Sequence, residues 1–549
     1  MKTSKRRSAL LSSPSARSTL LLLILTAPAT LFAEPAQTPR ENEDCADCHP
    51  AIAEDWWASA MGQSLRPLSR ELLRSFPEGA MVSHPEGFRY RVRLLGEKLR
   101  FELLGAAGPI PIAFRDAAYL IGGRRAATFL WQKAGRLGEL PLTHYRGKGW
   151  RLSPGFQSRD PRFGRLIDEE CLFCHRGTLD RLSGPEPRFA ALPSAGIGCE
   201  SCHLDATAHQ RAQLAGQDHP ADQRKAEESC TRCHQKGAAR VPWRKVNGGW
   251  EVALFEVEGG PHERADLLQS SSYQRRLKSS ACGARNLNCA DCHPPHRPRA
   301  PITCEGCHVE SVQHTESKLA PPLEQSGPCL LTAATRGQKS CAHCHMPRRG
   351  AADIPHLSVV DHRIERRPDE GSEPAAPLSP RDLELPLRWL SDPPAGKEKR
   401  LIEGLAYTRR WRQGGGKTNL GRARKLLQEA LQAIRERPTS ESEISSQLHA
   451  EATLALARLY SDEARWAEAQ EVIESLPSER RTGELKMTSA EVALALGQSE
   501  SAYRQASALL QLDTVAFGPA LLSARALSTM GQGERAWRAL RRLALTEPG

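Results

Sequence analysis

One short pattern, Cys, two residues, Cys, His, occurs seven times in these 549 residues and constrains the fold more than any other feature. The copies are CADCH (Cys45, Cys48, His49), CLFCH (Cys171, Cys174, His175), CESCH (Cys199, Cys202, His203) and CTRCH (Cys230, Cys233, His234). A second CADCH (Cys289, Cys292, His293), CEGCH (Cys304, Cys307, His308) and CAHCH (Cys341, Cys344, His345) complete the set. Together they use 14 of the 16 cysteines. Two thiols at this spacing can add across the vinyl groups on one edge of a haem, and the next His then lies under the iron. A zinc site needs four ligands and has no use for a His directly after every second Cys. A redox dithiol or a disulfide framework has no such need either. The pattern therefore predicts seven covalently bound haems of c type, with the fourteen cysteines as attachment points and the seven histidines as proximal iron ligands.

The ligand on the other side of each iron must come from elsewhere. Outside the motif positions the region holds His84, His144, His209, His219, His262, His296, His314, His343, His356 and His362, ten residues for seven irons. His343 lies inside an attachment loop and is set aside. His84, His209, His296, His314, His356 and His362 are the distal candidates, with His144, His219 and His262 left unassigned. Met61, in WWASAMGQS, is either a sixth ligand or plain packing. Two imidazoles per iron leave no open position and suit electron transfer. The alternative is an oxidoreductase acting on a small nitrogen or sulfur compound at one open iron. The first motif is the expected place for that, because no other His lies near it in sequence.

Lys2, Lys5, Arg6, Arg7 and Arg17 precede the apolar run TLLLLILTAPATLFA. Residues 1–33 read as a secretory signal cleaved after Ala33, since the run is short for a bilayer span of roughly 20 residues. The mature chain is expected in the periplasm or a similar exported, oxidising compartment, with no integral membrane segment. There Cys282 and Cys329, the two cysteines outside the motifs, are either paired with each other or free. The net charge is +12, and the signal carries five of those charges with no acid, which leaves +7. Arginines are scattered and no nucleic-acid motif is present. The basic balance is read as partners for the haem propionates, not as a nucleic-acid surface. Apolar residues make up 39% and aromatics 5%, lean enough to suggest that macrocycles fill part of the interior.

These features predict a mainly α fold. Residues 34–367 would form a haem-packed cytochrome domain with a β-rich insertion at about 80–160, where FRYRVRLLGEKLRFELLG alternates like a hairpin. A Pro-rich linker follows over 368–395. Over 396–549, ARWAEA, GQSESA and GQGERA recur, placing Ala464, Gly497 and Gly531 at intervals of 33 and 34 residues, and Ala469, Ala502 and Ala536 keep step. That is the tetratricopeptide period, which builds a helical solenoid, here expected to dock a redox partner protein.

The chain also resembles exported multihaem c-type cytochromes with a C-terminal tetratricopeptide region, distant relatives of the nitrite-reductase and hydroxylamine-oxidoreductase superfamily. The resemblance rests on CADCHPAIAEDWWASAMGQS, LPLTHYRGKGWRLSPGF, CESCHLDATAH, YQRRLKSSACGARNLNCADCHPPH and CAHCHMPRRGAADIPHLSVVDHRIERR. It implies that His296, His356 and His362 are distal ligands, and that His84 occupies a position where relatives often carry His. The chain departs from the family in having CHLDATAH where CHGPG is usual. No motif ends in Lys, unlike the active-site motif of many pentahaem nitrite reductases, which argues against that activity.

Overall fold

The computed structural model describes residues 43–105, 108–157, 161–177, 182, 184–189, 196–203, 206–218, 226–235, 237–246, 249–257, 268, 270–280, 282–285, 287–296, 304, 340–351, 354, 356–365, 384–390, 392–436, 446–512 and 516–546. The expected signal and most of the expected linker lie outside these residues.

Alternating sequence builds the first part. β1 (Leu65–Pro67), β2 (Met81–Ser83), β3 (Arg89–Leu95), β4 (Lys98–Leu104) and β5 (Pro111–Asp116) are followed by β6 (Tyr119–Gly122), β7 (Ala126–Lys133), β8 (Arg136–Tyr145) and β9 (Gly149–Leu152). One antiparallel sheet has the order β2-β3-β4-β5, and the other β1-β6-β7-β8-β9. In β3, Tyr90 and Val92 are fully buried while Arg89, Arg91 and Arg93 take the other face, as a two-residue period requires. The β3–β4 hairpin pairs Leu95 with Lys98, and Gly96 between them has φ +63°, the left-handed value a tight primed turn needs at its first position.

The inner faces of the two sheets meet over Tyr90, Phe101, Phe129, Trp131, Trp150 and Phe156. Both buried indoles find acceptors: Trp131 Nε1 donates to the Phe163 carbonyl at 2.9 Å and Trp150 Nε1 to that of Pro77 at 2.8 Å. Beyond the sandwich, β10 (Ala239–Val246) and β11 (Gly249–Val257) form a hairpin, and β12 (Arg348–Gly350) pairs with β13 (Ser358–Val360).

The expected mainly α, haem-packed domain is therefore not what this half of the chain forms. Among the described residues, four antiparallel sheets shape it, and the sandwich is filled by its own side chains. The lean apolar composition misled because a small number of large side chains, Tyr90, Phe101, Phe129, Trp131, Trp150 and Phe156 among them, is enough to fill that core.

Among the described residues, eight helices follow: Lys397–Arg412, Gly416–Glu436, Ser446–Asp462, Trp466–Glu474, Gly483–Ala495, Ser499–Leu512, Phe517–Thr529 and Gly533–Thr546. The 33- and 34-residue spacing marks where the first helix of a pair ends. Ala464, Gly497 and Gly531 have φ of +56°, +78° and +74°. The amides of Arg465, Gln498 and Gln532 then each donate, at 2.9 Å, to the carbonyls of Tyr460, Ala493 and Leu527. This is the same helix-ending bond three times. Ala469, Ala502 and Ala536, on the second helices, are buried where a larger side chain would hold the helices apart.

The end of the expected linker has structure of its own. β14 (Leu387–Trp389) adds a third strand to the β10–β11 sheet. Its Leu387 amide donates to Tyr407 Oη at 3.0 Å, and Trp389 Nε1 to Glu403 Oε1 at 2.8 Å. Val241 and Phe255 share one core with Leu401, Ile402 and Leu427, so the helical array is continuous with the sheet beside the motifs.

Ala464 is the one member of the repeated helix ends that lacks glycine. Left-handed backbone is strained for a residue with a Cβ, so Ala464→Gly should stabilise the protein by about 0.5–1 kcal/mol. Chemical denaturation would measure this, and the equivalent change Ala469→Gly, inside a helix, should destabilise instead.

Candidate functional site

The described motifs border this scaffold. The first lies on the helix Glu43–Cys48 and is followed at once by the helix Pro50–Trp57. Trp56 Nε1 donates to the Ile197 carbonyl at 2.8 Å, and the Gly196 amide to the Gly62 carbonyl at 3.0 Å. A Cβ on Gly196 would come within 2.5 Å of the Met61 carbonyl. The approach to the third motif is thus laid flat on the loop that leaves the first. The second motif forms the helix Glu169–His175, capped by Asp168, whose carboxylate accepts from the Cys171 amide at 3.1 Å. The fourth closes the helix Ala226–His234, the fifth forms Cys289–Cys292 behind an Asn288–Asp291 capping box, and the seventh forms Cys341–His345. Residues three apart share a helix face, so each of these helices turns both thiols the same way.

Motifs far apart in sequence are neighbours. Cys45 is within hydrogen-bonding reach of Cys199, Cys174 of Cys233, and Cys230 of Cys289. This joins the first motif to the third, the second to the fourth, and the fourth to the fifth.

Three motif imidazoles are each faced by a second imidazole. His49 and His209 have ring centroids 6.5 Å apart with planes 20° from parallel, His203 and His296 are 5.9 Å apart at 18°, and His293 and His362 are 6.3 Å apart at 31°. That is too far for direct stacking. Two imidazoles bonding one metal atom from opposite sides, at about 2 Å each, place their centroids roughly 6 Å apart. Hydrogen bonds fix which nitrogen can bond. His362 Nδ1 is 3.1 Å from the Val360 carbonyl and His345 Nδ1 is 2.7 Å from that of Glu365, so both carry the proton there and keep the Nε2 lone pair. Burial lowers the pKa of His234, His293 and His362 and pushes that of His175 down to about 4, which holds these rings neutral, the ligating form.

Other candidates are placed differently. His84 is buried in the sandwich, stacked on Phe88 at 4.3 Å. Its Nδ1 accepts from the Glu86 amide at 3.2 Å, so Nε2 carries the proton and donates to the Phe156 carbonyl at 2.9 Å. Both nitrogens are occupied, and the ring braces the sandwich. His144 packs between Phe76 and Trp150 in the same layer. His356, exposed and at φ +65°, meets Tyr145 at 5.4 Å instead of a motif imidazole. His209 faces His49, so the first motif is not the one left without a second imidazole. Cys307, His308, His314, His219, His262 and Cys329 lie outside the described residues. Among the described residues, no ring pair joins another imidazole to His175 or His234, and Tyr273 packs on His234 with ring centroids 5.7 Å apart. Tyr273 also packs on His362 at 4.6 Å, a position that no spacing in the sequence marked.

The second and fourth motifs open on a cavity of about 1930 Å³ whose far wall is the helical array. Met61, Trp56, Cys171, Cys174, Cys230 and Cys233 lie on one side. Arg240 spans the motif side, with its guanidinium 2.8 Å from Cys174 Sγ. Among the described residues, no group of three or more His, Cys, Asp or Glu side chains converges to hold a bare metal ion, in contrast to the facing pairs.

No family model matches the chain, and no curated protein does. Among solved structures, one described as "MamA MSR-1 C2" matches 28% of this chain and 77% of its own length at 16% identity, with a TM-score of 0.22, too low to bear on fold or function. No helix among the described residues is long and apolar enough to cross a membrane.

The sequence signal for Asp361 was only its place beside His362. In the fold it is buried, accepting from Arg276 Nε at 2.8 Å and Nη2 at 2.5 Å, from Arg349 Nε at 3.2 Å and from the Arg363 amide at 3.0 Å. Burial alone would raise its pKa, but these bonds and charges outweigh burial and hold it below the usual carboxylate range. The pair ties the helix Tyr273–Lys278 to the strand that presents His362. Asp361→Asn leaves Arg276 buried without its counter-charge and should destabilise the protein by about 3 kcal/mol in chemical denaturation.

Proposed function

We propose that the chain is an exported c-type cytochrome that holds seven haems and carries electrons among them to or from a redox protein. The observation that carries this reading is the coincidence of two independent features. The motif fixes where each proximal imidazole stands, and the fold brings a second imidazole to within 5.9–6.5 Å of three of them, a separation compatible with one shared iron. The cysteines of the seven motifs are the attachment points and the seven following histidines the proximal ligands. His209, His296 and His362 are the distal ligands of the first, third and fifth sites. A bound haem supplies reversible one-electron transfer. The chain's own residues keep the ligating rings neutral, orient them through Val360 and Glu365, and set neighbouring attachment points side by side.

A second reading, an oxidoreductase with one open iron, is favoured by the cavity at the second and fourth motifs, where no imidazole among the described residues faces His175 or His234. A small nitrogen or sulfur compound would enter there, not at the first motif.

The intact mass of the protein, matured with its attachment machinery, should exceed that of the cleaved polypeptide by seven haem masses. An unmodified mass, or one reduced only by the hydrogens lost on disulfide formation between adjacent motifs, would sink the proposal. Replacing His362 with Ala should then open one iron and give a new high-spin feature and a shifted potential for one haem of seven. A spectrum and titration that overlay the wild type would remove His362 from the ligand set.

A further inference from the structure

The cavity beside the second and fourth motifs is divided by charge. Its motif wall carries Asp168, Glu169, Glu170 and Glu200 against Arg232 and Arg240. The helical wall reverses this, with seven basic side chains against three acidic ones. Arg409 and Arg412 are three residues apart on one face of the helix Lys397–Arg412, and Arg458 joins them from the helix Ser446–Asp462. Arg409 reaches the motif side, pairing with Glu170 at 2.5 Å and donating to the Arg240 carbonyl. Arg458 is 3.5 Å from Glu484. Burial, then repulsion from Arg458, lowers the pKa of Arg412, and the carboxylates of Asp462 and Glu484 offset this only in part. This wall is a cationic surface turned into a cavity, and such a surface favours carboxylate or phosphate ligands.

A haem has the matching asymmetry, since it is tethered through its vinyl edge and carries two carboxylates on the opposite edge. We propose that the helical array is the carboxylate-binding wall of the site at the second motif, with Arg412 and Arg458 as partners for its propionates. This deepens the proposed function and rests on it. The array is then part of a cofactor site as well as a surface for a partner protein.

The test uses full-length holoprotein and spectroelectrochemical titration. Cations near a propionate disfavour the oxidised, more positive haem, so their loss lowers that haem's potential. Arg412→Gln and Arg458→Gln, singly and together, should shift one titrating component downward and leave the others in place. Arg412→Lys should restore the component, and Arg504→Gln, on an exposed face of the array, should change nothing. The single variants keep the test usable where the double variant does not accumulate. Titrations of haem-loaded single variants that overlay the wild type would overturn this inference and leave the proposed function standing. Wild-type protein without haem absorbance would overturn the proposed function itself.

Discussion

On the proposed reading, the separation of about 6 Å between facing imidazole rings is the constraint on which this architecture turns. A CxxCH motif supplies one imidazole by local geometry alone. The second must come from another part of the chain, and a displacement of a few ångströms would put it out of bonding range. Hence the effort spent on holding short segments in place. Gly196 lets the approach to the third motif lie against the Met61–Gly62 backbone. Asp361 is clamped between Arg276 and Arg349 beside His362. The β12–β13 hairpin sets the seventh motif beside the strand that leads to that residue.

The sandwich and the helical array play a different part. Neither supplies a facing imidazole among the described residues, yet both border the motif segments. The sandwich is a self-sufficient core, and its histidines, His84 and His144, are consumed in packing it. The array shares a core with the β10–β11 sheet and closes the large cavity with cationic side chains. On the proposed reading, low polarity around the ligands and fixed charge at the cavity wall are the two levers by which this chain would set potentials.

How much of this was legible in the sequence depends on the range of the interaction. The motifs, the β3–β4 hairpin and the helix ends at Ala464, Gly497 and Gly531 are local patterns, and each could be read residue by residue. His209, His296 and His362 were visible as candidates, but their partners were not, because pairing depends on contacts between distant segments. His84 looked equivalent to them and is not, since nothing in SHPEGFRY announces that the Phe156 carbonyl will accept a hydrogen bond from its Nε2. The mainly α expectation failed for a related reason. Counting motifs weighted the reading toward cofactor packing, while runs such as ATFLWQKAGRLGELPLTHY already held two long strands buried largely on both faces. Arg412 and Arg458 carried no signal beyond their charge.

Electron paramagnetic resonance of the oxidised holoprotein tests the central claim most directly. Irons bound by two imidazoles are low-spin, and the account predicts low-spin ferric signals integrating to at least three irons, one for each facing pair. A holoprotein that carries its haems but is high-spin throughout would contradict it.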